Sequence, residues 1–439
     1  MEQLNHSQYL QRLNISSLNA MQLDAEKAIG TAKDVMILSS TGSGKTLAFL
    51  LPLIHRLKAR QKTLQLLIVV PARELALQIE EVFRSLQSGF KATCVYGGHS
   101  VKTEELSLAD TPSVVIGTPG KVSFHIRKGN INPTQVEYLV LDEFDKSLEL
   151  GFQQEMELIF GDLSHLKQKI FTSATKPDRF PAFARSADLL EVNHLNAQAT
   201  TQHLNLRVLH TASKNKLKLL IQLVAEQPLG PTIIFCNHRE AADRVSDLLW
   251  DKGVANGIYH GGMDQPAREK ALVKFRNGTH TALVTTDLAS RGLDIPDVQQ
   301  VIHYQIPFTE ESFIHRNGRT ARMKASGSAF LLLSDEEYKP DYIDAEVEEV
   351  EAHEIAEVEE QSHWATLYIA AGKKDKVNKI DIVGLLHKKA LLQKEEIGRI
   401  EVYDHMSYVA IAKKQLSKVL RLLSKEKIKG KRYKIGADA

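Results

Sequence analysis

Between about residue 30 and residue 335 the chain alternates short apolar runs with longer stretches whose apolar residues recur at helical spacing. The runs at 35–38, 66–70, 114–116, 138–141 and 170–171 each lead into polar or Gly/Pro-containing sequence. Short apolar runs suit strands buried on both faces, and helical periodicity between them suits crossover helices, so the rhythm predicts βαβ units in a parallel sheet. Ligands of such sheets gather beyond the strand C-ends. A second series, at 232–236, 257–259, 282–285, 301–304 and 329–333, follows a polar stretch at 193–202. Two α/β domains in tandem are expected, over 1–197 and 198–338.

Past residue 363 the pattern changes to β-α-β-β-α-β, with strands over 366–370, 400–403, 408–412 and 433–435 and helices over 382–392 and 415–423. That is the order of an RNA-recognition-motif (RRM) fold, expected over 363–439. Leu367-Tyr368-Ile369 resembles its first RNP motif, and Tyr408 falls where the second has a central aromatic. Two tyrosines so placed either stack on RNA bases, each worth about 1–3 kcal/mol, or are ordinary sheet aromatics, leaving loop and helix lysines to bind RNA.

Charge sharpens the division. The total is a bland +2, yet residues 335–360 hold thirteen acidic residues against one Lys, whereas 365–439 hold eighteen Lys/Arg against eight Asp/Glu. The span 339–362 therefore reads as an acidic linker or solvated helix, and the last piece as a basic, RNA-facing domain. A 43% hydrophobic content supports real cores. Cys94 and Cys236 are the two cysteines and show no metal-ligand spacing, and no apolar run approaches a membrane span, so no membrane partner is expected. The expected setting is the cytoplasm and the expected state a monomer.

Chemistry concentrates at two strand ends. Residues 35–38 run into Ser39-Ser40-Thr41-Gly42-Ser43-Gly44-Lys45-Thr46, and a helical stretch follows over 47–57. Glycines let backbone N–H groups approach phosphates, Lys45 supplies a point charge, and the Thr46 hydroxyl can ligate Mg²⁺. Ser39 stands where this pattern usually has glycine; taken alone, the loop also reads as an ordinary strand-to-helix turn. Asp142-Glu143 follows the strand at 138–141, so both carboxylates emerge on the same sheet edge. Asp142 is placed to hold the metal, and Glu143 to orient or deprotonate an attacking water.

Asp142-Glu143-Phe144-Asp145 resembles the signature of the DEAD-box helicase family, with Phe for Ala, and the similarity runs in order over about 300 residues. The first domain also has Pro71-Ala72-Arg73-Glu74-Leu75-Ala76, Gly97-Gly98 and Thr118-Pro119-Gly120-Lys121, which resemble RNA-contacting motifs. Ser173-Ala174-Thr175 is similar to the motif coupling hydrolysis to unwinding. Asn19-Ala20-Met21-Gln22 resembles the Q motif, which implies that Gln22 reads the adenine edge; the usual Pro-Thr-Pro lead is missing. In the second domain, 234–237 with Asn237, 265–268 with Arg268, and the series from Thr285 through Asp294 and on to Arg319 and Arg322 resemble further motifs. Asn317 and Ala321 replace the common Ile and Gly.

The resemblance implies two tandem RecA-like domains and an RRM-like tail, with ATP and Mg²⁺ as cofactors and RNA as partner. It implies that Asp294 approaches the ribose and that Arg319 and Arg322 act as arginine fingers. Such residues are typically worth about 10³ to 10⁵ in rate. The expected activity is RNA-stimulated ATP hydrolysis that separates short duplexes. Family members with this kind of tail imply ribosomal RNA and large-subunit assembly as the target. The rivals are an ATP-gated, non-catalytic RNA clamp and a DNA helicase.

Overall fold

A computed structural model describes residues 6–438 apart from 41, 60, 99, 177–179, 196–203, 213–215, 227–229, 291–294, 296–297, 321–326, 344–346 and 352–361. The chain divides into two compact units after Gln202. The first holds seven strands, β1 (Asp34–Ser39), β2 (Leu66–Val69), β3 (Ala92–Val95), β4 (Val114–Gly117), β5 (Tyr138–Leu141), β6 (Gln168–Ser173) and β7 (Leu189–His194), in the parallel order β3-β4-β2-β5-β6-β1-β7. Strands β1, β2, β4 and β5 are buried along their whole length, as apolar runs with no polar alternation must be when helices cover both faces.

Those two faces make separate cores. Val35, Ile37, Ile68 and Val140 pack under the helices Lys45–Ile54 and Arg73–Leu86, whereas Met36, Val69, Leu141 and Phe171 pack on the other side. Phe144 belongs to the second core. It is fully buried, with its ring 5.0 Å from Phe171 and 5.6 Å from Phe180. The departure from the family's Ala at this position is therefore absorbed by packing.

The second unit repeats the architecture with β8 (Leu204–Thr211), β9 (Thr232–Phe235), β10 (Asn256–Tyr259), β11 (Ala282–Thr285), β12 (Gln300–His303), β13 (Gly327–Ser334) and β14 (Glu348–Glu351), ordered β10-β11-β9-β12-β13-β8-β14. Part of the span expected as an acidic linker is thus an edge strand. Its carboxylates meet cations at the sheet margin: Glu348 pairs with Arg207 of β8 at 2.9 Å, and Glu349 with Lys339 at 2.8 Å. At the end of β12, His303 is fully buried and its Nε2 lies 2.9 Å from the Asn317 carboxamide oxygen. Asn317, another departure from the family pattern, thus accepts a hydrogen bond from a neutral imidazole.

The unit also carries a third sheet, β15 (Trp364–Ile369), β16 (Ile397–Val402), β17 (Ser407–Ala412) and β18 (Ile435–Ala437), antiparallel in the order β16-β17-β15-β18. With the helices Lys379–Lys388 and Leu416–Leu423 this realises the expected β-α-β-β-α-β order. Leu367, Ile369, Val409 and Ile411 point into one core with Ile382, Leu386 and Val419, so Thr366, Tyr368 and Tyr408 share the opposite face.

Two outcomes follow from this packing. Phe144→Ala, although it restores the family residue, should cost about 3–5 kcal/mol through the cavity it leaves, visible as a lower denaturation midpoint. Burial, followed by the Arg316 charge, lowers the His303 pKa to about 3. The unfolded chain then binds the extra proton first, so stability from this histidine is complete above about pH 6.5 and falls as pH drops from there toward 3. At about pH 5 the loss is about 2 kcal/mol, and His303→Gln should flatten that part of the melting-temperature profile.

Candidate functional site

The phosphate-loop residues Ser39 and Ser40 sit at the end of β1, and Lys45 and Thr46 open the helix Lys45–Ile54. Ser39 ends an extended strand and is not among the positive-φ residues, so its backbone does not require glycine there. Gly42 and Gly44 do require it, at φ of +80° and +89°. Gly44 has a second reason: a Cβ there would lie 2.5 Å from Gln22 Nε2. Lys45 Nζ donates to the Ser39 and Ser40 carbonyls at 2.5 and 2.9 Å, which folds its charge over the loop. Ser43 closes the turn, its N–H donating to Ser40 O at 3.4 Å, and Thr41 lies outside the described residues.

Asn19 and Gln22 cap the helix Ala20–Thr31 reciprocally: the Gln22 N–H donates to Asn19 Oδ1, and the Asn19 N–H to Gln22 Oε1, both at 2.9 Å. The Gln22 amide also donates to Gly44 O at 3.2 Å, and Asn19 Nδ2 donates to Ser43 O at 2.9 Å. Both ends of the Gln22 amide are thus engaged, clipping this segment to the phosphate loop. Each end keeps one further hydrogen-bonding position, an N–H and a lone pair, with which a base edge could be read.

Asp142 leaves β5 almost wholly buried, 3% exposed. Burial pushes its carboxyl above the ordinary range; a hydrogen bond from Thr172 of β6 and the nearby Lys45 charge oppose that shift. A buried carboxylate beside a hydroxyl-bearing phosphate loop is a donor set that suits a hard divalent cation. Glu143 follows at φ +49°, a left-handed conformation that is costly for a side chain larger than glycine and tends to persist at functional turns. Its N–H donates to Thr172 Oγ1 at 3.3 Å. Asp145 accepts from Thr175 Oγ1 at 2.9 Å, and Ser173 Oγ donates to Thr175 O at 2.5 Å. Of the expected coupling residues, Thr175 is therefore joined directly to the acidic signature and Ser173 through Thr175.

The RNA-contact candidates of this unit cluster on the other half of the same edge. Pro71 follows β2, Gly97 and Gly98 follow β3, and Thr118, Pro119 and Gly120 follow β4, while the phosphate-loop and acidic candidates follow β1 and β5 and the coupling residues lie at the end of β6. Gly97 and Gly120 have open space where a side chain would be, so their backbone is accessible. The Arg73 guanidinium stands 4.7 Å from the Tyr96 ring centre. Beneath these loops lies a network that motif reading had not assigned. The buried Glu104 carboxylate accepts from Tyr96 N at 3.0 Å, Lys121 Nζ at 2.8 Å and His125 Nε2 at 3.1 Å. With His125 Nδ1 3.0 Å from Asn130 Nδ2, the ring carries its proton on Nε2. One carboxylate thus fastens the Gly97-Gly98 turn to the helix Pro119–Arg127.

In the second unit two of the RNA-contact candidates engage their side chains within the protein. Asn237 donates from Nδ2 to Ile306 O and accepts from Arg316 at Oδ1, both at 2.8 Å, so its side chain braces the protein internally. Thr285 is fully buried in β11 and donates to Tyr259 O at 2.6 Å. The residue at the centre of this frame is Arg316. It is fully buried, grips Asp287 at 2.6 and 3.1 Å, donates to Gln305 O at 3.0 Å, and stands 5.2 Å from the Phe235 ring centre. Arg319 donates from Nε to Ser290 O at 2.8 Å, and Arg268 lies on the helix Gln265–Arg276, capped by Asp264. Asp294 and Arg322 lie outside the described residues.

Comparison with known proteins matches this arrangement throughout. Residues 19–182 match the DEAD/DEAH box helicase model, 215–324 the helicase conserved C-terminal domain, and 366–436 the DbpA RNA-binding domain. The ATP-dependent RNA helicase DbpA of Bacillus subtilis is 32% identical, over 92% of this chain and 91% of its own length. Its namesake from Escherichia coli is 31% identical, over 97% and 95%. A solved structure of Mss116p bound to single-stranded RNA and AMP-PNP superposes with a TM-score of 0.68 at 26% identity, covering 76% of this chain and 73% of that one. With two RecA-like sheets, a phosphate loop facing a buried aspartate, and an RRM-like tail, the chain belongs to the DEAD-box ATP-dependent RNA helicases of the DbpA type.

Proposed function

We propose that the protein hydrolyses Mg²⁺-ATP in response to RNA and uses the cycle to separate short duplexes locally, within ribosomal RNA during large-subunit assembly. It would act in the cytoplasm as a monomer, with its tail selecting a structured RNA. The observation that carries this reading is the division of one sheet edge: nucleotide-candidate loops beyond β1 and β5 with the coupling loop beyond β6 between them, RNA-candidate loops beyond β2, β3 and β4. Since β5 and β2 are adjacent, a change at the acidic signature reaches the RNA half through neighbouring backbone.

In this mechanism Lys45 turns from the Ser39 and Ser40 carbonyls to the terminal phosphates, and Gln22 selects adenine. Thr46 and Asp142 would hold Mg²⁺, which supplies charge neutralisation at the phosphates. Glu143, held by its strained turn, orients or deprotonates the attacking water. Asp294, Arg319 and Arg322 keep the roles that the family implies, on ribose and phosphate. Arg73, Gly97, Gly98 and the Thr118 turn grip the RNA backbone, with Arg268 acting likewise in the second unit. Two of the family models that this chain matches, a helicase and an RNA-binding domain, support the substrate class.

Lys45→Ala should abolish nucleotide binding, read by titration with a fluorescent ATP analogue. Glu143→Gln should retain ATP and RNA binding yet lose about 10²-fold or more in turnover, within the usual worth of general-base catalysis. Parent-rate hydrolysis by Glu143→Gln would remove that residue from the water-activating role. Matched RNA and DNA strands should differ in stimulation, with phosphate release rising on RNA and little on DNA; equal stimulation would count against RNA as the substrate, and none with either strand would favour a clamp.

A further inference from the structure

We propose that Glu104, which belongs to none of the motifs, is a positioning residue for RNA: it fixes the mutual placement of three first-unit loops that are candidates to grip the strand. The assignment rests on the RNA-dependent reading above. The β3–β4 ladder ends where Val95 faces Gly117, closed by the Thr118 N–H donating to Val95 O at 3.1 Å. A Cβ at Gly117 would lie 2.6 Å from that same carbonyl oxygen, so only glycine permits this approach of the two strand ends. Past this point the ladder gives no register, and the turns at Gly97-Gly98 and Thr118-Pro119-Gly120 need another tie.

Glu104 supplies it from the first turn of the helix Val101–Ala109. One carboxylate oxygen accepts from Tyr96 N, immediately ahead of Gly97, at 3.0 Å. The other accepts from Lys121 Nζ at 2.8 Å and His125 Nε2 at 3.1 Å, both on the helix Pro119–Arg127 that the Thr118 turn opens. The Arg73 guanidinium over the Tyr96 ring, 4.7 Å from its centre, brings in the loop beyond β2. His125 is held from behind, its Nδ1 3.0 Å from Asn130 Nδ2.

The side chains of Glu104 and His125 are fully buried, and that of Lys121 is 19% exposed. A buried carboxylate is costly to leave short of a partner, so three donors on two oxygens hold the elements that carry them in one arrangement. Only a carboxylate serves all three. A carboxamide offers one oxygen and turns an N–H toward Lys121 and His125, which are donors themselves. Contacts to phosphate and sugar fix the register of a strand, so they depend on where the backbone donors stand. Gly97 and Gly120, open where a side chain would be, present backbone on the two turns that Glu104 links.

The test compares Glu104→Gln and Glu104→Ala with the parent in the full-length chain. Binding of a short fluorescein-labelled oligouridylate is read by anisotropy in the presence of AMP-PNP, and nucleotide affinity by titration with a fluorescent ATP analogue without RNA. Glu104→Gln should weaken RNA binding about tenfold, the usual worth of a hydrogen bond to a charged group, and Glu104→Ala should weaken it further. Nucleotide affinity should match the parent's in both, because the phosphate loop lies on the other half of the edge. Glu104→Gln is isosteric and keeps the fold, so the test stands even where Glu104→Ala unfolds. Parent-like RNA affinity in Glu104→Gln would overturn the assignment. A parallel fall in nucleotide affinity would also overturn it, by showing a general loosening of the unit. A parent that binds no RNA would overturn the proposed function, and this assignment with it, before any variant is compared.

Discussion

The hydrogen bond from Thr172 to the buried Asp142 carboxylate ties the ends of β5 and β6 together, and the first unit's chemistry depends on it. A carboxylate this buried resists ionising unless cations and donors surround it. Thr172 and Lys45 are those partners, and Lys45 belongs to the phosphate loop beyond β1, on the far side of β6. Three consecutive strand ends thereby share one electrostatic problem. On the proposed reading a nucleotide's phosphates and their metal would change its terms, because Lys45 would then have a better acceptor than two carbonyls. Asp145 and Thr175 repeat the β5–β6 link one step further out, so a rearrangement at the acidic pair is felt by the Ser-Ala-Thr loop.

The same logic organises the second unit with the signs reversed. Arg316 is a buried cation whose partners come from three separate places: Asn237 beyond β9, Asp287 beyond β11 and Gln305 beyond β12. A buried ion pair contributes little net stability against an apolar substitute, but losing one partner leaves an uncompensated charge, so the loops it joins are held in one arrangement. That explains why Asn237, read as an RNA contact from its motif, turns inward, and Thr285 does the same by tying β11 to the end of β10. In this arrangement both side chains hold a frame, and Arg268 lies on the adjoining helix Gln265–Arg276.

Motifs formed from contiguous residues at a strand end were legible in the sequence, because local chain direction alone decides where Lys45, Thr46, Asp142 and Glu143 emerge. The central strands were legible for a related reason, since burial on both faces writes an unbroken apolar run. The edge strands β7 and β14 escaped this reading, whereas the edge strand β10 did not. Strand β7 keeps polar residues along one side, and β14 is mostly glutamate, stabilised by Arg207 and Lys339 rather than by apolar burial. The Glu104 network escaped for another reason: its partners lie 8, 17 and 21 residues away, with nothing in their spacing to mark them. Departures from the family pattern, by contrast, became intelligible only with packing in hand, Phe144 as a core residue and Asn317 as the acceptor for a neutral histidine.

The tail shows where pattern and environment part company. Periodicity correctly assigns Tyr368 and Tyr408 to the face opposite the core, yet a face without a core of its own is not thereby a face open to solvent. Arg276, Asn277 and Lys270 come from a helix and turn far upstream, and a charge count over the tail alone cannot register them. Glu401 and Asp438 are the useful clue in retrospect: acidic residues on the nominal RNA face of a basic domain would repel phosphates, and they make physical sense only if cations of the same chain neutralise them. The local pattern of a strand therefore fixes which way its side chains face, while the charge each side chain meets is set by residues distant in sequence, as Arg276 is for Glu401 and Lys270 for Asp438.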